Sequence, residues 1–114
     1  MISVVLVDDH RVVVEGLKLL LGAFPDVTVV GSAADGGEGA DLVISLAPDV
    51  VLMDLSMPGT DGVQATRRIV EAVPGTAVVV LTTSSDRDML LRSLDAGAVG
   101  YLMKDTDPQG LHDG

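Results

Sequence analysis

Five polar residues of this sequence each stand at the end of a short apolar run. Asp8 and Asp9 end the first run, Asp54 the third, Thr82 the fourth and Lys104 the fifth. If these runs are parallel strands of one sheet, their carboxyl ends meet at one edge, where such sheets place their sites. Three carboxylates at one edge repel one another unless a cation balances their charge. A hard divalent ion such as Mg²⁺, which takes oxygen ligands, suits that position.

The same set of residues suits phosphoryl chemistry. A lysine and a hydroxyl beside carboxylates can bind the oxygens of a phosphoryl group, and an aspartate can act as a nucleophile that forms an acyl phosphate. The set therefore predicts a Mg²⁺-dependent phosphoryl-accepting site centred on Asp54. Alone, each residue has a plainer interpretation: a turn or helix cap for Asp8 and Asp9, a loop cap for Asp54, an ordinary strand end for Thr82 and a solvated charge for Lys104. Their joint placement favours the site.

The elements that must position these residues alternate along the chain. Runs of β-branched and apolar residues predict five strands, at 2–7, 27–31, 49–53, 77–81 and 98–103. Apolar residues at helical spacing predict four helices between them, at 10–21, 35–46, 61–73 and 86–96. This alternation predicts an α/β fold with a mostly parallel sheet and right-handed crossovers.

Several details of the helices and strands follow from the pattern. The first helix has its apolar residues at Val13, Leu17, Leu20 and Leu21, and the second should turn Leu42, Val43 and Leu46 inward. The glycines of segment 36–39 predict a loose start to the second helix, not a phosphate-binding loop. His10 could act as a metal ligand or a base, but it is expected to begin the first helix beside the site as a structural residue. Met53 and Met103 are expected in the core.

The end of the chain predicts a shortened fifth helix. Asp107 and Pro108 are typical of a helix N-cap and first turn, but only residues 109–114 follow. A crossover helix needs about ten or more residues to cover a sheet. The fifth helix is therefore expected to be truncated, and the chain is expected to be a piece of a longer protein.

Composition excludes several classes. Of the 114 residues 47% are hydrophobic, which supports one globular domain and argues against disorder. The net charge of −10, from 17 acidic and 7 basic residues, disfavours direct binding to nucleic acid. No apolar run approaches the roughly 20 residues of a membrane span, and the N-terminus lacks a signal-peptide pattern. The absence of cysteine fits a cytoplasmic protein.

Four motifs carry a resemblance to a known family. They are VDDH at 7–10, MDLSMPGTDG at 53–62, LTT at 81–83 and GAVGYLMKD at 97–105. With these motifs the whole chain, residues 1–114, resembles the receiver domain of a two-component response regulator, and is most similar to the NarL/FixJ (LuxR) type. The resemblance implies a flavodoxin-like (βα)5 three-layer sandwich, with parallel strand order 2-1-3-4-5 and a truncated fifth helix.

The resemblance also implies roles at the site. Asp54 would accept a phosphoryl group from a histidine of a sensor histidine kinase. Asp9 and Asp54 would ligate Mg²⁺ directly with the backbone carbonyl of Ser56, and Asp8 would act mostly through water. Lys104 would pair with the phosphoryl group.

Two further residues would transmit the signal. Thr82 would hydrogen-bond the phosphoryl group and move with it, and Tyr101 would turn inward as the second switch residue. The surface of helix 4, strand 5 and helix 5 would then change. Partners implied by the resemblance are a C-terminal helix-turn-helix DNA-binding domain, absent from this chain, and a second copy in a homodimer.

This sequence departs from the family pattern at two positions. Asp105 stands where a proline joined through a cis bond often follows the lysine, and a cis bond without proline costs several kcal/mol. Thr83 is bulkier than the residue usual after the switch threonine, so it is expected to restrict access to the phosphoryl pocket.

Two other functions remain as alternatives. The chain could be a small phosphatase or phosphotransferase with an aspartate nucleophile, but strand 1 ends in DDHR where such enzymes have an Asp-x-Asp-Gly motif. It could instead be a degenerate receiver that only binds other proteins, although all five key residues are present. Steady turnover of a phosphate ester would favour the first, and absence of Mg²⁺-dependent stabilisation the second.

Overall fold

The computed structural model describes residues 1–57, 62–83 and 87–103. Within these ranges the strands are β1 (Ile2–Val7), β2 (Val27–Ala33), β3 (Val50–Asp54), β4 (Ala77–Thr82) and β5 (Gly100–Met103). The helices are α1 (Arg11–Gly22), α2 (Gly36–Leu46), α3 (Gly62–Ala72) and α4 (Arg87–Asp95). The predicted alternation is confirmed, with small shifts of the boundaries. The predicted fifth helix and the Lys104–Asp105 bond lie outside the described residues. In the part of the chain that is described, no helix has both the length and the apolar character needed to cross a membrane.

The five strands form one parallel sheet in the order β2-β1-β3-β4-β5. This confirms the flavodoxin-like topology. Val7 pairs with Met53 across β1 and β3, and Asp54 pairs with Leu81 across β3 and β4. The three central strands therefore end nearly level, and Asp8 follows β1 at the height of Asp54.

The core lies on both faces of the sheet because successive strand residues point to opposite sides. One cluster packs strand residues under α2, α3 and α4; among its fully buried members are Val5, Val7, Val51, Met53 and Ile69. The other packs Val4, Leu6, Leu52 and Leu81 under α1, which contributes Val14, Leu17 and Leu21. Aliphatic packing of helices on both faces holds the central strands, and with them the edge that carries the acids.

Two predicted core positions, Leu46 and Met103, are wrong, and one of the four apolar residues at helical spacing in the first helix is exposed as well. Leu20 is exposed because α1 faces the sheet with a stripe at i, i+3 and i+7 that begins at Val14. Leu46, the last residue of α2, is also exposed, and so is Met103 at the end of the outer strand β5. Residues at the ends of elements or off the main stripe are apolar in sequence yet lie where no described element covers them.

The glycines at the start of α2 have a packing function that composition does not reveal. The helix begins at Gly36, and Asp35 caps it by accepting the backbone N–H of Glu38 at 2.7 Å. A Cβ on Gly39 would lie 2.6 Å from both Cγ atoms of Val7, closer than real Cβ atoms approach. The missing side chain therefore lets α2 lie close against β1, and the expected loose start is not observed.

Substitution of Gly39 by alanine is expected to destabilise the protein by about 1–3 kcal/mol through overpacking against Val7. Gly37→Ala is the matched control in the same turn, since its Cβ would meet only Asp35 Oδ1 at an ordinary 3.5 Å. Better helix propensity should make the control neutral or stabilising by up to about 1 kcal/mol. Chemical denaturation of both variants tests this, and equal stabilities would show that α2 can shift away from β1 without cost.

At the amino-terminal ends of β1 and β3, Ser3 and Asp49 are joined by hydrogen bonds. Asp49 Oδ2 accepts the backbone N–H of Ser3 at 2.8 Å and its hydroxyl at 3.2 Å, while Ser3 Oγ accepts the N–H of Asp49. The two hydrogen bonds that the carboxylate accepts from Ser3 lower the pKa of Asp49, and the one from the backbone N–H has the larger effect. Because the folded-state pKa is lower than the unfolded one, the carboxylate adds stability above pH about 4, and this is lost as pH falls through the lowered pKa.

Candidate functional site

Asp54 is the last residue of β3, and its side chain is fully buried, with 0% exposure. Its Oδ1 accepts the backbone N–H of Ser56 at 2.9 Å, which forms a local turn directly after the strand. The N–H of Leu55 continues the pairing with β4 by donating to the carbonyl of Leu81 at 2.9 Å. Asp54 therefore caps the loop after β3, as its plainer interpretation predicts, and it also lies at the edge of the sheet where the central strands end.

Asp8 follows β1 and is nearly as buried, with 3% exposure. Its N–H donates to the carbonyl of Ala33 at 3.0 Å, which extends the pairing of β1 with β2. Its Oδ1 accepts the N–H of His10 at 2.8 Å and so shapes the turn into α1. Asp9, the next residue, is exposed. One carboxylate is thus held inside the edge and the other lies at its surface.

His10 is the N-cap residue of α1, and its side chain makes no capping hydrogen bond. Instead the imidazole Nδ1 lies 2.9 Å from Asp8 Oδ1, 3.1 Å from Asp9 Oδ1 and 3.7 Å from Asp54 Oδ2. The expectation that it begins the helix beside the site is confirmed. The signal in the sequence was its position directly after Asp9, where the chain turns from strand to helix, and the structure adds that its ring contacts the carboxylates.

Asp8, Asp9, His10 and Asp54, the acidic cluster hereafter, each offer one ligand atom, and these atoms lie within 4.8 Å of one another. This spacing could hold one divalent ion. The donors are three carboxylates and one imidazole, so oxygen ligands dominate, as a hard cation such as Mg²⁺ requires. The residues present therefore fit a divalent-cation site.

The other predicted site residues are placed as follows. Thr82 ends β4, fully buried, and its hydroxyl donates to the backbone carbonyl of Thr83 at 3.3 Å. Ser56 is partly buried beside Asp54. Tyr101 lies on the outer strand β5 with half of its side chain exposed. Lys104 lies outside the described residues, one position beyond β5. The roles assigned to these residues stay predictions.

Comparison with known proteins agrees with this arrangement. Residues 4–114 match the model of the response regulator receiver domain. The chain belongs to the family of response regulator receiver domains, and its parallel sheet with acids at one edge is the receiver fold.

The relatives it resembles are regulators of the NarL and LuxR type. The chain is 46% identical over 104 residues to the transcriptional regulatory protein LiaR of Bacillus subtilis, covering 91% of this chain and 49% of LiaR. It is 38% identical over 109 residues to the nitrate/nitrite response regulator protein NarL of Escherichia coli, covering 96% of this chain and 50% of NarL. The chain thus spans about half the length of the curated relatives it matches.

A solved structure gives the same result. The crystal structure of a LuxR-family two-component response regulator from Aurantimonas superposes with a TM-score of 0.83 at 38% identity. The match covers 97% of this chain and 79% of that one.

Proposed function

We propose that this chain is the phosphoryl-accepting domain of a two-component transcriptional regulator, and that Asp54 accepts the phosphoryl group from a sensor histidine kinase in a Mg²⁺-dependent reaction. The supporting observation is the buried carboxylate of Asp54 at the end of a central strand, with Asp8 and Asp9 at the same edge. A cation between these acids and a nucleophilic Asp54 account for the three carboxylates of the cluster.

The residues divide the chemistry between them. Asp9, Asp54 and the carbonyl of Ser56 would hold the ion, with Asp8 acting mostly through water. When bound, the ion would supply positive charge to the phosphoryl oxygens. A carboxylate oxygen of Asp54 attacks phosphorus, the bond from phosphorus to the kinase histidine breaks, and an acyl phosphate forms. Lys104 pairs with the transferred oxygens.

The switch uses Thr82, the last residue of β4, and Tyr101 on β5. The Thr82 hydroxyl, which now donates to the Thr83 carbonyl, turns to the new phosphoryl oxygens. The space it leaves admits the half-exposed Tyr101. Because Tyr101 lies on the outer strand, its inward turn changes the surface formed by α4 and β5.

This surface would pass the signal to other parts of the regulator. In the complete protein the output is a C-terminal helix-turn-helix domain that binds DNA, while the receiver itself, with its net charge of −10, does not. The phosphorylated receiver forms a homodimer, and the protein acts in the cytoplasm. It is a signalling domain whose only reactions are gain and loss of its own phosphoryl group.

The test is phosphorylation by a small donor. Wild-type protein incubated with Mg²⁺ and acetyl phosphate is expected to gain the mass of one phosphoryl group, and Asp54→Ala is expected to gain none. Intact-mass spectrometry measures both, and omission of Mg²⁺ should prevent the gain. Peptide mapping places the modified carboxylate.

Asp26→Ala is the matched control, because Asp26 is an exposed aspartate far along the chain from the cluster. It should be phosphorylated like the wild type. An adduct that persists in Asp54→Ala would disprove the assignment of the acceptor. Steady turnover of a phosphate ester, which gain and loss of a phosphoryl group on Asp54 does not explain, would instead favour the phosphatase alternative.

A further inference from the structure

We propose that His10 is a metal ligand of the acidic cluster and makes it prefer an ion that accepts imidazole nitrogen, with Zn²⁺ as the representative, over Mg²⁺. This inference deepens the proposed function, on which it rests for the identity of the site. Zn²⁺ would compete with Mg²⁺ for the same carboxylates and so regulate the site.

The geometry supports one ion shared by all four side chains. An ion about 2.1 Å from each donor in a tetrahedral shell places the donors about 3.4 Å apart. His10 Nδ1 lies 2.9, 3.1 and 3.7 Å from oxygens of Asp8, Asp9 and Asp54. These distances bracket the tetrahedral value, while the four ligand atoms as a set lie within 4.8 Å of one another, so the carboxylates would have to draw together by about 1 Å to complete the shell.

The donor set supplies the selectivity. Mg²⁺ binds oxygen and retains its waters, so an imidazole nitrogen adds little to its affinity. Zn²⁺ is a borderline-soft ion that imidazole ligands suit, whereas carboxylate, carbonyl and water ligands suit the hard ion Mg²⁺. With His10 at the N-cap of α1 and its ring among the carboxylates, the site offers the one ligand that separates these ions.

The expected consequence is inhibition. Four protein ligands close a tetrahedral shell and leave no position for an incoming oxygen, as in structural zinc sites. Asp54 would then serve as a ligand, and its carboxylate would be withheld from phosphoryl transfer. A Zn²⁺-bound receiver would therefore stay unphosphorylated even with its phosphoryl donor present.

A plainer role for the imidazole makes a different prediction. If His10 only forms a hydrogen bond with Asp8, its removal frees that carboxylate and should strengthen the binding of every cation alike. If His10 is a ligand, its removal should weaken Zn²⁺ binding while Mg²⁺ binding holds or rises. The ratio of the two affinities separates the roles.

The experiment is isothermal titration of Zn²⁺ alone and of Mg²⁺ alone into wild type, His10→Asn and His112→Ala. Asn is a good N-cap residue, so His10→Asn preserves the start of α1 while removing the nitrogen ligand. The chain has two histidines, so His112→Ala accounts for the other imidazole. We expect His10→Asn to lose on the order of tenfold or more in Zn²⁺ affinity, the range reported for changes around metal sites, and His112→Ala to lose none.

A second measurement separates failure of this inference from failure of the proposed function. The Zn²⁺ concentration that halves phosphorylation, relative to each protein's own Mg²⁺-only level, should rise about tenfold in His10→Asn. Unchanged Zn²⁺ affinity in His10→Asn, a parallel loss of Mg²⁺ affinity, or the same loss in His112→Ala would overturn the role of His10. Absence of any Asp54 adduct in wild type would overturn the proposed function, whatever the Zn²⁺ titrations show.

Discussion

Asp54→Asn is expected to raise the free energy of unfolding in metal-free buffer and to abolish the stabilisation that Mg²⁺ gives the wild type. Without an ion, the fully buried carboxylate of Asp54 lies within 4.8 Å of those of Asp8 and Asp9. Two like charges at that distance repel by about 3 kcal/mol at an effective dielectric constant of 20. The imidazole of His10 offsets part of this, so the expected gain is about 1–3 kcal/mol.

The same substitution removes a proposed ligand of the ion. An ion that binds only the folded state stabilises it by about 2.7 kcal/mol at 100 times its dissociation constant. Wild type should therefore gain stability with added Mg²⁺, and Asp54→Asn should not. Because the asparagine oxygen can still accept the Ser56 N–H, the turn after β3 is preserved. Urea denaturation with and without Mg²⁺ measures both effects.

Asp26→Asn is the control for a change of one charge. Asp26 is exposed, so its variant should match wild type in metal-free buffer and respond to Mg²⁺ in the same way. A lower stability of Asp54→Asn in metal-free buffer would show that the carboxylate is net stabilising in the folded protein. A gain in stability with Mg²⁺ that persists in Asp54→Asn would show that the ion binds elsewhere.

Leu6→Ala is expected to destabilise the protein by about 2–5 kcal/mol, the range for a large-to-small change in a core. Leu6 lies on the central strand β1 with 0% exposure and packs in the cluster beneath α1. The loss is a large part of the 5–15 kcal/mol that stabilises an ordinary domain. Since Asp8 follows two residues later, weaker Mg²⁺ binding is expected as well.

Leu19→Ala is the same chemical change at a surface position, because Leu19 on α1 is 79% exposed. It should change stability by no more than about 0.5 kcal/mol. Denaturation curves of the two variants under identical conditions give the comparison. Similar losses of stability for the two variants would contradict the difference in burial between Leu6 and Leu19.

Much of the fold could be predicted because its determinants are local. Strands β1 and β3 are mostly apolar and rich in valine; Asp8 directly follows β1, and Asp54 ends β3. Helical spacing between the runs then implied parallel crossovers, and those brought Asp8 and Asp54 to one edge. Strand order came from the family resemblance and not from the pattern, because pairing between distant strands leaves no local signature.

The errors occurred where burial depends on what lies opposite. Leu20, Leu46 and Met103 are apolar and regularly spaced, yet they are exposed, because spacing identifies a face but not the element that covers it. Gly39 is the converse case. A side chain at this position is excluded by Val7 on another element, β1. The sequence alone showed only that glycine is a poor helix former.

For the site, the sequence by itself determined which residues stand at strand ends and what chemistry carboxylates, a hydroxyl and a lysine can perform. Tertiary structure decided that β1 and β3 are neighbours with their ends level, and that the ring of His10 enters the acidic cluster. The physical reason is that residue type and spacing act along the chain, whereas a distance of 3 to 4 Å between side chains depends on packing across the sheet. The acceptor carboxylate and a histidine beside the site could thus be proposed from sequence, whereas the distances from the imidazole to the carboxylates came only from the fold.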